Sequence, residues 1–323
     1  DNPAIGFIFV DEAQKITSTD DVRSLTTFRA VEKIIKQYPG INTYFASPLI
    51  SNPDEFLNLF GLDSSKSLTI KNNTVSQHIF KVDFNKSKVF YSFKNTFEEV
   101  ADLPKDIVDE IHFIRHIGSN TNALIYCHSV ATVIENAQKL QSILKPNNNI
   151  LISEKVKDVI KKIKEFVHKD YILASLLEYG IAFHYGNLPQ VIRILIEDLY
   201  KEGEIRYLFT TSTLLEGINL PTTNLFILSN KKGIAKLDQL DFWNLSGRAG
   251  RMNIELNGNV FYIVKKDEAD KYPTLPSKDI EVEATISTRL NKNKIKIKKS
   301  LEGKDISGTE SEKEQLHYIK NMI

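Results

Sequence analysis

Cysteine is almost missing from this chain: among 323 residues only Cys127 occurs. A single thiol excludes an intramolecular disulfide framework and fits a reducing compartment, so the expected location is cytoplasmic. Long apolar runs are lacking too. No stretch approaches the roughly 20 residues that a bilayer-crossing helix needs, and no charged-then-apolar leader opens the sequence, so no membrane partner is expected. Nor is there a surplus of one charge sign, since 42 basic against 41 acidic residues leave a formal net charge of +1. Near-neutrality neither demands nor forbids nucleic acid, because positive potential can be gathered in one cleft. What remains is an ordinary composition for a soluble globular protein, over a length that suits two domains or one large one. The sequence starts at Asp1 in mid-pattern and runs almost at once into an apolar strand, which reads as a fragment or processed piece.

Along the chain, short apolar runs alternate with helical periodicity. Gly6–Val10 (GFIFV) has the form of a buried parallel strand. Asp20 is placed to cap a helix whose apolar face is Val22, Leu25, Phe28, Val31 and Ile35, with Pro39-Gly40 ending it. Tyr44–Ala46 reads as a strand and Pro53–Phe60 as a short helix. This strand–helix–strand rhythm predicts a parallel sheet with helices on its faces. Polar residues 63–75 mark a boundary, and Gln77–Phe93 alternates as two extended segments. The rhythm resumes with a helix from Leu103 to about Ile117, strand Ala123–Cys127, helix Val130–Leu144 and a Lys-rich amphipathic stretch at Glu154–Val167. Strand Ile181–Phe183, helix Pro189–Tyr200, strands Tyr207–Thr210 and Leu225–Leu228, helix Leu237–Leu245 and strand Asn259–Val264 follow. The expected division is 1–75, 76–270 and a charged extension, 271–323, without a clear core.

Five segments carry candidate chemistry. Asp11 and Glu12 directly follow an apolar strand, at the carboxyl edge of a parallel sheet where ligands of such folds bind. A bare Asp-Glu pair is common, but the strand before it and Ala13-Gln14 after it strengthen the reading. Ser47-Pro48-Leu49 lies in a Ser-, Pro- and Asn-rich turn after the next strand. Ser129 ends a strand and suits the cap of the next helix, leaving backbone N–H groups for a phosphate. Its neighbours Cys127 and His128 point to opposite faces of that strand, which argues against a nucleophile or metal pair. Thr210, Thr211, Ser212 and Thr213 form a run of hydroxyls suited to a sugar–phosphate backbone. Upstream of them His184 reads as a structural histidine, and Gly217 and Asn219 follow. Arg248 and Arg251, three apart and separated by small residues, suit two guanidinium forks on one phosphate group.

In this order the segments resemble the motifs of a superfamily-two helicase of the DEAD/DEAH-box type. The closest similarity is to the Ski-like and archaeal repair-helicase branch, and it covers roughly residues 5 to 265. Asp11–Gln14 is similar to motif II, Ser47–Pro53 to motif III, Ile125–Ser129 to motif IV, Thr210–Pro221 to motif V and Ser246–Arg251 to motif VI. The resemblance implies two RecA-like α/β domains, the first truncated on its N-terminal side, with ATP and Mg²⁺ as ligands. It implies that Asp11 holds Mg²⁺ and Glu12 activates water. Gln14 and Ser47 would couple the nucleotide site to the second domain, and Gly217 and Asn219 would line the ATP cleft. Arg248 and Arg251 would contact the γ-phosphate, while Ser129, Thr211, Ser212 and Thr213 would face the nucleic-acid backbone. The implied activity is ATP-driven, 3′-to-5′ helicase or translocase action, with DNA favoured over RNA. A non-hydrolysing nucleic-acid-binding or regulatory module of RecA-like fold is the alternative; the intact Asp11, Glu12, Arg248 and Arg251 favour the motor.

Departures from the family pattern are specific. Motif II reads DEAQ, motif III reads Ser47-Pro48-Leu49 in place of Ser-Ala-Thr, and Asn244 stands where motif VI opens with Gln. No G-x-x-x-x-G-K-[ST] occurs, so the phosphate-binding loop would have to come from a missing N-terminal half of the first domain. Alone, this chain is expected to hydrolyse ATP negligibly. In the extension, Lys294, Lys296 and Lys298 would share one face of a strand. That stripe suits a phosphate backbone or the blunting of an edge strand equally well.

Overall fold

The computed structural model describes residues 5–17, 22–63, 66–69, 76–94, 96–144, 152–215, 220, 222–250, 257–269, 275–276 and 280–282. They fall into two compact units, one drawn from residues 1–71 and 278–323, the other from 72–277. Among the described residues no helix is long and apolar enough to cross a membrane.

In the first unit, β1 (Phe7–Val10) pairs in parallel with β2 (Asn42–Phe45), joined by helix α1 (Val22–Gln37). Helix α2 (Asp54–Leu59) follows. Ala13, Ile50 and Phe56 form a small core, with Val10 and Phe45 packed on it. Phe45 stacks on Phe56 and Phe60, and Phe28 of α1 stacks on Phe60. The sequence reads GFIFV as buried, and here the structure differs. Phe7 and Phe9 are 63% and 60% exposed, because a two-stranded sheet packed on one face leaves alternate side chains uncovered. Tyr44 shares that exposure.

The extension adds to this core. Ile280 and Val282 pack against it, and Ile280 bridges Ile50 in parallel. Asn52 clamps the segment in both directions: its Nδ2 donates to Val282 O at 2.8 Å, and its Oδ1 accepts from Val282 N at 2.9 Å. Asp20 and the lysine stripe lie outside the described residues.

The second unit opens with β3 (Ser76–Asp83), β4 (Lys88–Phe93) and β5 (Thr96–Asp102), then α3 (Glu110–Ile117), β6 (Ala123–Tyr126), α4 (Val130–Ile143), α5 (Glu154–Phe166) and α6 (Ile172–Leu177). It continues with β7 (Ile181–His184), α7 (Gln190–Lys201), β8 (Tyr207–Thr210), β9 (Asn224–Ile227), a small hairpin of β10 (Lys231–Lys232) and β11 (Ala235–Lys236), α8 (Gln239–Ser246) and β12 (Asn257–Val264). Eight strands make one sheet in the order β5-β4-β3-β12-β9-β6-β8-β7. From β3 to β7 every pairing is parallel, and the only antiparallel pairings, β3–β4 and β4–β5, lie at one edge, so β4 alone runs against the others. The protein is therefore α/β with a parallel-dominated, RecA-like sheet.

Helices on both faces explain why β6, β7, β8 and β9 are buried at every position and read as unbroken apolar runs. Phe80, Phe261 and Phe226 stack in series at 5.2 and 5.0 Å, and Phe113 of α3 meets the last two edge-on. Helix α3 starts at Glu110, seven residues later than the periodicity suggests, because Asp109 is its cap and accepts from Ile111 N and His112 N.

Candidate functional site

Asp11 stands exposed just beyond the carboxyl end of β1, where its Oδ1 accepts Glu12 N–H at 2.8 Å. Glu12 has φ +52°, a left-handed backbone that L residues rarely adopt. That turn aims Ala13 N at Ala46 O, 2.8 Å away, and so joins the acidic pair to the loop after β2. Side chains strengthen the join. Ser47 Oγ donates to Gln14 Oε1 at 2.6 Å, Gln14 Nε2 reaches Glu12 Oε2 at 3.4 Å, and Lys15 Nζ pairs with the same Glu12 oxygen at 3.0 Å. Gln14 is buried while Glu12 is half-buried, so a polar chain runs from an enclosed amide to an accessible carboxylate. The structure thus brings Glu12, Gln14 and Ser47 together. Lys15 was not singled out from sequence, although its spacing three residues from Glu12 was a usable signal.

On the second unit, β6, β8 and β7 lie side by side, so the residues after their carboxyl ends share one edge. Ser129 caps α4 there in a capping box: its hydroxyl accepts from Thr132 N at 3.3 Å and contacts Thr132 Oγ1 at 3.0 Å. Thr211 is buried, with its hydroxyl 3.4 Å from that of Thr213, while Ser212 and Thr213 are half-buried. His184, fully buried, lies between Glu197 Oε1 at 3.0 Å from Nε2 and Thr213 Oγ1 at 3.5 Å from Nδ1. A carboxylate only accepts, which assigns the ring proton to Nε2 and leaves Nδ1 to accept from Thr213. Burial holds the His184 pKa below the usual imidazole range against the pull of Glu197, and Arg193 pushes it the same way as burial. Sequence had His184 as a structural histidine, but not Glu197 as its partner.

Cys127 is buried, and burial pushes its thiol up to about 12, with only a weak contact from Asn136 Nδ2 at 3.7 Å. At neutral pH it stays a thiol and is no nucleophile. Its neighbour His128 is shifted below the usual imidazole range by burial and by Lys231 and Lys265. Among the described residues no group of three or more His, Cys, Asp or Glu is gathered for a metal ion.

Arg248 is half-buried in the turn after α8, not within the helix. Its carbonyl accepts Thr222 N at 3.1 Å, and Gly250 N donates to Thr222 O at 2.9 Å, which fastens this turn beside the start of β9. Gly250 has φ +88°. At Gly258 the first turn of β12 touches the same loop: a Cβ there would lie 2.2 Å from both Ala249 C and Gly250 N. Glycine is required at both places for different reasons, a left-handed turn and a bare backbone approach. Gly217, Asn219 and Arg251 lie outside the described residues. Asp11 and Glu12 belong to the first unit and Arg248 to the second.

Comparison with known proteins matches residues 135–253 to the helicase conserved C-terminal domain. The antiviral helicase SKI2 of Saccharomyces cerevisiae is 41% identical over 90 residues, 27% of this chain and 7% of that protein. The human U5 small nuclear ribonucleoprotein 200 kDa helicase is 23% identical over 271 residues, 81% of this chain and 12% of the relative. Anti-bacteriophage protein B of Escherichia coli is 33% identical over 109 residues, 33% of this chain and 15% of the relative. The chain spans at most 15% of the length of these three proteins. Residues 135–253 thus match the helicase conserved C-terminal domain, and with its parallel sheet the chain is similar to superfamily-two helicases of the DEAD/DEAH type, in their Ski-like branch.

Proposed function

We propose that this chain is part of an ATP-driven nucleic-acid helicase or translocase, acting 3′ to 5′. The observation that carries the reading is the hydrogen-bonded series Ser47–Gln14–Glu12, on the unit that precedes a matched helicase domain. A carboxylate held in a strained turn and oriented by side chains suits a group that positions or deprotonates attacking water. Asp11 fits Mg²⁺, being an exposed oxygen donor at a strand end with one oxygen engaged by Glu12 N–H. The ion, when bound with ATP, would neutralise charge on its phosphates.

In this reading Glu12 orients and accepts a proton from water, and the Gln14–Ser47 link relays the state of the nucleotide site. Gly217 and Asn219 line the ATP cleft, and Arg248 and Arg251 neutralise the γ-phosphoryl. Ser129, Thr211, Ser212 and Thr213 bind the strand by its backbone, without reading bases. DNA is favoured as that strand. The phosphate-binding loop belongs to an upstream half of the first domain. The uncovered Phe7, Phe9 and Tyr44 beside a two-stranded sheet support such a neighbour.

Two measurements test the proposal. The 323-residue chain alone should show negligible ATP turnover; robust turnover would overturn the dependence on an upstream loop. In the intact parent, Glu12→Gln should lower kcat by about 10²- to 10⁴-fold while sparing ATP binding. Turnover matching the unaltered parent would remove Glu12 from the mechanism. Strand displacement on matched DNA and RNA duplexes decides the substrate.

A further inference from the structure

A cavity of about 310 Å³ opens on the second unit at the amino end of β8, between the loop before α3, the last turn of α3 and the end of α4. None of its lining residues belongs to the segments that carry Ser129, Thr211–Thr213 or Arg248. Its form depends on Gly118. A Cβ there would fall 2.5 Å from Tyr207 Cε1 and 2.9 Å from Ile114 O, so only glycine lets the end of α3 rest on the Tyr207 ring. That contact sets Arg115 and His116 beside Arg206. The Arg206 backbone is itself fixed, its N–H on Gly180 O at 2.9 Å and its carbonyl taking Ala123 N at 2.8 Å.

The charge around this cavity is unbalanced. Arg115 and Arg206 both line it, and among the described residues neither has a carboxylate in ion-pair distance. Both guanidinium groups act on the buried Tyr207, whose phenol is raised by burial and opposed by the two positive charges. Asp109 is already engaged, capping α3 and holding His112 Nδ1 at 2.7 Å. That leaves Asp106 as the one lining carboxylate facing two guanidinium groups. His116 adds an imidazole to the lining, while the Ser119 hydroxyl is engaged, donating to His116 O at 3.1 Å. Two guanidinium forks with an imidazole exceed what a carboxylate can accept, but they suit the three terminal oxygens of a phosphate.

We propose that this cavity is a second ligand site, for a small phosphate monoester. The phosphate would rest on Arg115 and Arg206, and the hydroxyl-bearing remainder would face Asp106 with Ile107 and Leu144 as apolar walls. A volume of about 310 Å³ lies at the lower end of small-molecule sites and suits a ligand of sugar-phosphate size.

Ribose 5-phosphate is the probe, because it lacks the adenine that would draw a nucleotide to an ATP cleft. Titration calorimetry of the 323-residue chain should give saturable binding, with no heat from ribose. Arg206→Ala and, on a separate element, Arg115→Ala should each weaken binding about tenfold or more, as loss of a charge-assisted hydrogen bond implies. Thermal melting confirms that each variant is folded; Arg206 and Arg115 are both exposed, so each can be removed without opening the core. Arg248→Ala should leave the affinity unchanged, which keeps this site independent of the proposed motor. Equal binding of ribose, no binding at all, or full affinity in both folded arginine variants would overturn the proposal.

Discussion

Gly258 shows how far a single missing side chain can decide local geometry. The loop that carries Arg248 is held from three directions: by Thr222, by the end of α8 and by the bare backbone of β12. A methyl group at Gly258 would meet backbone atoms of Ala249 and Gly250 at 2.2 Å, and neither can rotate away. Gly258→Ala should therefore cost about 3 kcal/mol of stability, the upper range for overpacking. Urea denaturation would register it as a lower midpoint at unchanged slope. A variant as stable as the parent would mean that the loop moves freely away from β12. Sequence made Gly247 and Gly250 visible through motif VI, but Gly258 carries no such signal, since its contact joins residues eight apart across a strand start. Lys15 and Glu197 went unnoticed for a related reason: each matters only as the partner of a residue already singled out.

Elements were legible in proportion to how strongly local pattern and burial agree. Helices α4, α5 and α7 follow the 3.6-residue period, and their bounds lie within two residues of those read from sequence. Strands β6 to β9 stood out because burial on both faces makes them continuously apolar. Strand β5, TFEEVAD, did not stand out, since an edge strand with exposed acidic residues has neither a core face nor apolar alternation. Helix α6 spans six residues, too few for a period to declare itself. Ser129 was legible as both cap and candidate strand contact, and the structure engages its hydroxyl in the capping box. Ser129→Ala should thus destabilise the folded chain by about 1 kcal/mol, and Ser129→Asp, which keeps the acceptor, should restore most of it. If alanine and aspartate behave alike in chemical denaturation, the cap contributes nothing measurable.

At the scale of the whole chain, the backbone crosses between units twice, near residues 71 and 277, so the first unit is closed by residues more than 200 positions from its start. Composition hid this. The extension is charged overall, and two apolar residues, Ile280 and Val282, are too few to announce a core contribution in a sequence scan. Their effect lies in what they touch: Ile280 N donates to Leu49 O at 3.0 Å, and Ser51 N donates to Ile280 O at 2.9 Å. Leu49 itself has φ +63°, an unfavourable backbone for leucine that the bridge to Ile280 helps to hold. Leu49 follows Ser47 by two residues, so the returning segment braces the loop that orients Gln14 and Glu12. Asn52 is the cleanest place to test this, because its side chain supplies both hydrogen bonds to Val282 and it is not one of the apolar residues of the Phe56 core. Asn52→Ala should weaken the brace by about 1–3 kcal/mol, the cost of unmaking part-buried hydrogen bonds. The Val282 amide, which donates to Asn52 Oδ1, should then exchange with solvent about tenfold faster or more, while amides in β6 and β8 keep their protection. An unchanged Val282 exchange rate would show that apolar packing alone returns the segment to the first unit, and that the clamp seen at Asn52 adds no stability to it.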